Sequence, residues 1–259
     1  GNQYFRYFDL AIAEGITTAG QLSIRWIERK INQYLNKLLK TDKDYVIASD
    51  TDSIYVRFDE LVSMVNPKNP IDFLDTVAKE KIEPFINKSY QQLSDYTTAY
   101  EQKMFMKREV IADKGIWTAK KRYILNAWDV EGVRYKKPQL KIMGIEAVKS
   151  STPAPCREKI KEALEIIMSG SEKELNDFLI QFRKEFDSLA PEDIAYPRSI
   201  NGIRKWGSSS SIYRKGTPMH IKGALIFNHM IKSKGLTNKY PLVVGGGKIK
   251  YLQLRQPNP

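Results

Sequence analysis

The stretch Tyr45-Val46-Ile47-Ala48-Ser49-Asp50-Thr51-Asp52-Ser53-Ile54-Tyr55-Val56-Arg57-Phe58 sets apolar, largely β-branched or aromatic residues on either side of a polar tip. Two short runs of that kind separated by turn formers predict a β-hairpin with its tip at Ser49 to Ser53. Strand ends hold side chains rigidly while a tip stays open to solvent, so Asp50 and Asp52 stand two residues apart in an accessible place. Two carboxylates that close repel, and a divalent cation relieves the repulsion. Hard oxygen ligands with open positions suit Mg2+ or Mn2+. Two such ions a few ångströms apart can activate an attacking oxygen and stabilise a leaving one in phosphoryl transfer. Asp, Thr and Ser are also ordinary turn formers, and a purely structural turn fits the same residues.

Working outward, Ile16 to Lys40 reads as an amphipathic helix. Thr17 or Thr18 opens it with Gln21 in capping-box position, and Ile27, Ile31, Tyr34, Leu35 and Leu38 share a face. Ile71 to Tyr96 is helical again, with Pro84 expected to bend or split it. Met104 to Ala112, Tyr123 to Asp129 and Leu140 to Ala147 read as strands, separated by Gly115, Gly132 and Pro138. The character changes at Ser150-Ser151-Thr152-Pro153, where a cap residue followed by Pro predicts a helix to Met168 that stops at Gly170. Ser171 and Glu174 form a second capping box, and Leu175, Phe178, Leu179, Phe182 and Phe186 predict a buried stripe on the helix they open. After Pro197 the chain is loop-rich and basic, with one short apolar helix expected around Gly223 to Lys232. The expected fold class is α+β: an antiparallel sheet with packed helices over residues 1–145, then a mainly helical, partly irregular part over residues 146–259.

A length of 259 residues suits one large domain or two modest ones without covalent staples. The single cysteine, Cys156, excludes a disulfide framework and a Cys-based zinc site, and a reducing, cytoplasmic compartment is expected. Two histidines, His220 and His229, are too few for a His-based metal site. No apolar run approaches bilayer length and no signal pattern opens the sequence, so no membrane partner is expected. The net charge of +12 is concentrated at one end: Arg198 to Pro259 holds 12 Lys and Arg and no Asp or Glu, and the remaining 30 basic residues balance 30 acidic ones. A polyphosphate backbone is the commonest partner for so one-sided a block, although a solvated tail or another acidic partner has the same composition. Lys120-Lys121-Arg122-Tyr123 interleaves cations with a ring, as phosphate, minor-groove and sugar contacts require; a charged strand edge looks similar. Tyr213-Arg214-Lys215-Gly216-Thr217-Pro218-Met219-His220-Ile221-Lys222-Gly223 mixes cations with small residues that let backbone amides approach phosphates.

In their order along the chain, D-T-D-S (Asp50 to Ser53), K-K-R-Y (Lys120 to Tyr123), K-I-M-G-I-E-A-V-K-S-S-T-P (Lys141 to Pro153) and H-I-K-G-A (His220 to Ala224) resemble the family B DNA polymerases, closest to those of T-even-like phages. The match spans nearly the whole chain. The resemblance implies that the hairpin is a palm motif in which Asp52 binds both catalytic metals, Mg2+ or Mn2+, with Asp50 supporting the site. Glu109 is a further candidate acidic support. It implies that Lys121 and Tyr123 hold the primer-template minor groove, and Ser53, Lys120 and Arg122 are further DNA-binding candidates. It also implies that Lys149, Ser151, Arg214, Lys215, His220 and Lys222 belong to a thumb that wraps the duplex through its backbone. Residues 1–145 then correspond to the C-terminal part of the palm and residues 146–259 to a partial thumb.

Two departures stand out: Ser49 occupies the place of the usual Gly, and the stretch from Glu109 to Lys120 is short. The resemblance also calls for a second palm aspartate and a Lys-rich fingers helix, which precede a segment like Gly1 to Leu10 and are not in this sequence. Exonuclease motifs are likewise missing. The expectation is therefore a polymerase piece, inactive alone and weak in Mg2+ binding. It would need the N-terminal exonuclease, palm and fingers portion to act on primer-template DNA with deoxynucleoside triphosphates in the cytoplasm of a phage's host. An accessory DNA-binding module without catalysis is the alternative. A sugar transferase using the D-x-D turn for a nucleotide diphosphate is a third reading, opposed by the basic segments.

Overall fold

The structure, a computed structural model, describes residues 2–253. It divides into two compact units, Gly1–Gly115 with Leu125–Lys141, and Ile116–Ile124 with Ile142–Pro259. The α+β class expected from the sequence holds. No described helix is long and apolar enough to cross a membrane.

The first unit is organised by helix α1 (Leu10–Leu39), which starts six residues before the expected Ile16. Asp9 is the N-cap, its Oδ1 accepting the Ile12 N–H at 3.0 Å, whereas the Thr17 hydroxyl donates to the Glu14 carbonyl inside the helix. The acidic cap satisfies an orphan N–H and faces the positive end of the helix dipole, so it outcompetes the later threonines. Ile27, Ile31 and Leu35, spaced by four, are fully buried on one face of α1, while Leu38, expected to join them, is about half exposed. The stripe packs with Tyr45, Val46, Ile82, Ile86, Tyr90 and Leu93 in one cluster. Burial pushes the Tyr90 hydroxyl up to about 12, so the ring stays neutral.

Strands β1 (Val46–Asp50) and β2 (Ser53–Val56) form the expected hairpin, followed by the short helix α2 (Asp59–Val65). Helices α3 (Pro70–Val77) and α4 (Glu83–Tyr96) are joined by a π-helical turn at Ala78–Ile82. The expected interruption at Pro84 is thus present, as a π turn between two α-helices rather than a loop. Pro84 sits in the first turn of α4, and the wider π turn, with the Glu83 N–H bonding the Ala78 carbonyl, absorbs the missing donor.

Strands β3 (Val110–Ala119), β4 (Arg122–Val130) and β5 (Val133–Met143) form a sheet in the order β3-β4-β5. Two-residue loops join them, so neighbours run antiparallel. Met104 to Glu109 is not in a strand, Gly115 lies within β3 and Pro138 within β5, and Glu146–Val148 is a 3-10 turn rather than the end of a strand. Both β3 and β5 are edges, where a residue without a side chain or without an N–H is tolerated. Glu131 (φ 52°) and Gly132 (φ 86°) are both left-handed, as a hairpin turn twisted to match its strands requires.

Asp129 on β4, only 2% exposed, accepts from Arg108, from Arg134 Nε at 3.1 Å and from the Gly132 N–H at 3.0 Å. Arg108 also pairs with Asp75, and Arg134 with Asp72, so the network ties α3 to the sheet. Burial alone would raise the Asp129 carboxyl, but hydrogen bonds from Arg134, Arg108 and the Gly132 amide outweigh it and hold the group below its ordinary value.

In the second unit α5 (Ala154–Ser169) has Pro155 in its first turn, and the Gly170 N–H closes it on the Ile166 carbonyl at 2.7 Å. Thr152 does not cap it. Helix α6 (Glu172–Asp187) opens on the expected Ser171/Glu174 box. Its stripe is at most partly covered: no α6 residue is fully buried, and Leu179 is about half exposed. After α7 (Pro191–Ile194), β6 (Tyr196–Ser199) and α8 (Ile203–Trp206) comes α9 (Met219–Ser233), longer than expected. Strand β7 (Lys248–Tyr251) then pairs antiparallel with β6. A small core of Ile200, Ile203, Ile221 and Ala224 holds these pieces.

Asp129→Asn should cost about 3 kcal/mol at neutral pH, because it strips a buried partner from Arg108. The folded carboxyl lies below the ordinary 3.8. Its contribution is therefore complete above about pH 4 and lost as pH falls through the folded value. Urea midpoints of wild type and variant should draw together as pH falls from 7 to below 3.8; a constant gap would show that the Asp129 charge does not act in this way.

Candidate metal-binding hairpin and nucleic-acid interface

In the first unit the pairs Asp50↔Ser53, Ser49↔Ile54 and Ala48↔Tyr55 leave Thr51-Asp52 as a two-residue loop. Thr51 is left-handed at φ 58°. The Asp50 carbonyl accepts the Asp52 N–H at 2.7 Å and the Ser53 hydroxyl at 3.0 Å, while the Thr51 hydroxyl donates to Asp50 Oδ1 at 3.0 Å. These bonds fix the backbone between the two carboxylates. Asp50 is half-buried and Asp52 exposed. The ladder shifts register between Val46 and Ala48, a bulge that sharpens the twist just below the tip.

The base of the hairpin is clamped by residues that sequence reading did not single out. Asn32 Oδ1, on α1, accepts the N–H groups of Tyr45 at 2.8 Å and Val46 at 3.0 Å, and its amide donates to Asp44 at 3.0 Å. One turn on, Asn36 Oδ1 accepts the Lys43 N–H at 2.9 Å and the Thr41 hydroxyl at 3.0 Å. The Tyr45 hydroxyl reaches Glu60 Oε2 at 2.8 Å, and Glu60 also pairs with Lys43. The available signal was two asparagines four apart inside a long helix, where Asn is a poor helix former unless its amide has work elsewhere.

The donor set of Asp50 and Asp52, carboxylate oxygens on a rigid turn, fits a hard divalent cation. Among the described residues no group of three or more His, Cys, Asp or Glu gathers to hold a metal. Glu109 is thus not brought into a cluster with the hairpin; exposed, it pairs with Lys141 at 3.9 Å.

In the second unit Lys120-Lys121 is the exposed loop between β3 and β4, with Lys121 left-handed at φ 61°. Arg122 pairs with Glu146, whose Oε1 also accepts Lys149 Nζ at 3.0 Å, so the structure brings two of the expected cations onto one carboxylate. The Lys149 hydrogen bond first, then a backbone N–H and the Arg122 charge, hold the Glu146 carboxyl below its usual range. Tyr123 is buried, 7% exposed, and stacks at 6.2 Å on Trp117. Ser151 is half-buried just after Lys149.

Further along, Arg214 and Lys215 are exposed, and Arg214 Nε donates to the Gly207 carbonyl at 2.9 Å. His220 and Lys222 lie in the first turns of α9; Lys222 Nζ stands 5.1 Å from the Tyr213 ring centre and His220 lies 6.1 Å from Tyr251 of β7. Strand β7, whose Tyr251 meets His220, also carries the exposed Lys248 and Lys250, the latter donating to the Glu192 carbonyl at 2.9 Å.

No protein-family profile matches the chain. Along its whole length it is 41% identical, over 274 aligned positions, to the DNA-directed DNA polymerase of Escherichia phage RB69 and 37% identical to that of Enterobacteria phage T4. It spans 30% of the length of each of these curated relatives. The resemblance to the T-even-like phage polymerases carried by the motifs thus extends over the full chain. The aligned stretch exceeds the 259 residues of this sequence, so this chain carries gaps against both.

Asn32→Ala leaves two backbone donors at the hairpin base without their acceptor and should cost about 1–3 kcal/mol. Hydrogen exchange at the Tyr45 and Val46 amides should accelerate while that of α6 is unchanged. Unaltered exchange at both amides would show that Asn32 does not clamp the hairpin.

Proposed function

We propose that this chain supplies part of the nucleotidyl-transfer site and the duplex-binding surface of a family B DNA-directed DNA polymerase of the T-even-like phage type. The observation that carries this reading is full-length similarity to two such polymerases in a chain whose D-T-D-S segment forms a two-carboxylate hairpin. Residues 1–145 serve as the C-terminal part of a palm and residues 146–259 as part of a thumb.

Asp50 and Asp52 would hold Mg2+ or Mn2+, which when bound stabilises charge on the oxygens of the phosphoryl group being transferred. The chain's own part is orientation. The Asp50 carbonyl bonds keep Thr51-Asp52 in one conformation, and the asparagine clamp holds the strands beneath it. Two carboxylates form an incomplete cage, so the ion binds weakly until a further ligand arrives with the rest of the polymerase, its exonuclease, palm and fingers portion. That portion also binds the incoming deoxynucleoside triphosphate, in the host cytoplasm where the enzyme works. Lys121, with Lys120 and Arg122 beside it, holds the minor groove and adjoining phosphates of primer-template DNA, and Lys149, Arg214, Lys215, His220 and Lys222 neutralise and position the duplex backbone. Ser53 and Ser151 add short polar contacts, and Tyr123, packed on Trp117, braces the loop that carries the lysines.

Primer extension tests the reading. The purified chain should not extend a primer. Mixing it with a polypeptide carrying the upstream region of a T4-like polymerase should restore extension, and Asp52→Asn should lower the restored rate more than about 100-fold, beyond what outer-sphere changes cost. Extension by the chain alone would overturn the need for the upstream region. Restored extension that Asp52→Asn leaves intact would overturn the metal role, and duplex binding without extension in any mixture would favour an accessory DNA-binding module.

A further inference from the structure

We infer that Gly144 is a positioning residue for the Lys120-Lys121 turn, its bare Cα forming the seat against which the Lys121 backbone is held for contact with duplex DNA. The inference rests on the duplex-binding role proposed for Lys121 and names a residue through which that role is set.

Three observations carry it. Gly144 is left-handed at φ 68°, a conformation that L side chains rarely adopt. A Cβ at this position would lie 2.1 Å from the Lys121 carbonyl oxygen, and 3.2 Å from both the Lys121 carbonyl carbon and Arg122 Cγ. The obstacle is backbone, so no rotamer relieves it, and any side chain at 144 displaces the turn. Lys121 is itself left-handed at φ 61°, a sparsely populated conformation for a residue with a side chain, and it abuts a position where only glycine fits.

The same segment also grips the turn through side chains. Glu146, two residues beyond Gly144, pairs with Arg122 and with Lys149. On the other side of the turn the Thr118 hydroxyl donates to the Arg122 carbonyl at 3.2 Å. The Lys121-Arg122 step is thus held from β3 on one side and from Gly144 to Glu146 on the other. A lysine on a floppy turn loses much freedom on binding a phosphate or a groove acceptor, whereas one on a fixed turn has lost part of it already. The backbone seat therefore tunes affinity without touching DNA.

The test uses the full chain, a primer-template duplex and a salt series read by fluorescence anisotropy. Lys121→Ala should weaken binding and reduce the slope of log K against log salt by about one. Gly144→Ala should weaken binding about 5–10-fold with the same loss of slope, and the double variant should be no weaker than Lys121→Ala, because both act on one contact. Gly132→Ala is the control. Gly132 is also left-handed, at φ 86°, but a methyl group there would meet nothing within 4 Å, so the change should lower thermal stability and leave the slope unaltered. Should Gly144→Ala not fold, a glycine inserted after Lys121 uncouples the turn from its seat and should produce the same loss.

A Gly144→Ala variant, or an insertion, that keeps full affinity and slope overturns the inference. Additive losses in the double variant, or a Gly144→Ala effect confined to thermal stability, also overturn it. Lys121→Ala with unchanged affinity and slope overturns the duplex-binding role of Lys121, and the inference with it, while loss of all duplex binding by the unaltered chain would overturn the wider reading.

Discussion

The first unit depends on one burial: Ile27, Ile31 and Leu35 of α1 are removed from water against the buried ring of Tyr45 and the Ile86 to Leu93 face of α4. Each such aliphatic side chain contributes roughly 1.5–3 kcal/mol on burial. The apolar contact is not directional, however, and by itself would let the hairpin slide along the helix. Asn32 and Asn36 remove that freedom. Because Asn32 accepts from two consecutive amides at the start of β1, the register of the strand on the helix is fixed by hydrogen bonds with a single geometry. The position of Asp50 and Asp52 at the far end follows from that anchor, since the strand between them is only five residues long.

Charge in the two units is organised differently. The first unit balances its ions internally: Asp129 is buried between two arginines, Asp75 takes Lys79 and Arg108, and Glu60 takes Lys43 and Arg57. Ions so arranged hold elements together and have little left for a ligand. The second unit has no acids after Asp193, and there its cations rest on carbonyls and rings, as Arg214 does on Gly207, Lys222 over Tyr213 and Lys205 over Trp206. Such contacts orient a cation without neutralising it, which leaves its charge available to an anionic partner.

The legible parts of the sequence are those where one local rule dominates. The hairpin follows from a polar tip between apolar runs, and the Ser171/Glu174 box from two residues at fixed spacing. The start of α1 is misleading because two threonines are good caps in isolation, and only the structure shows that Asp9 is engaged first. The strands β6 and β7 escape sequence reading because Tyr-Pro-Arg-Ser and Lys-Ile-Lys-Tyr have neither length nor an apolar run; their pairing is imposed by the core of Ile200 and Ile221 behind them. Gly115 and Pro138 look like breaks, since the rule for edge strands applies only once the order of the sheet is known. The site residues are visible as residue types, whereas the residues that hold them, Asn32, Asn36, Gly144 and Glu146, are not, because their partners lie across a turn or on another element.

The two clusters proposed to act on nucleic acid therefore solve the same problem in different ways. An aspartate is short, so fixing its Cα fixes its carboxylate, and the hairpin does this with bonds to the Asp50 carbonyl and a clamp at the strand base. A lysine is long and flexible, so a fixed Cα confines its ammonium only partly, and further restraint must come from the conformation of the turn itself. A left-handed Lys121 seated on a left-handed Gly144 adds that restraint at the backbone, beside the pairing of Arg122 with Glu146. Rigid placement of the short anions and looser placement of the long cations, by turn backbone, carboxylate, carbonyl and ring, are what the proposed site needs if its metal ligands must be held to fractions of an ångström while its phosphate contacts follow a moving duplex.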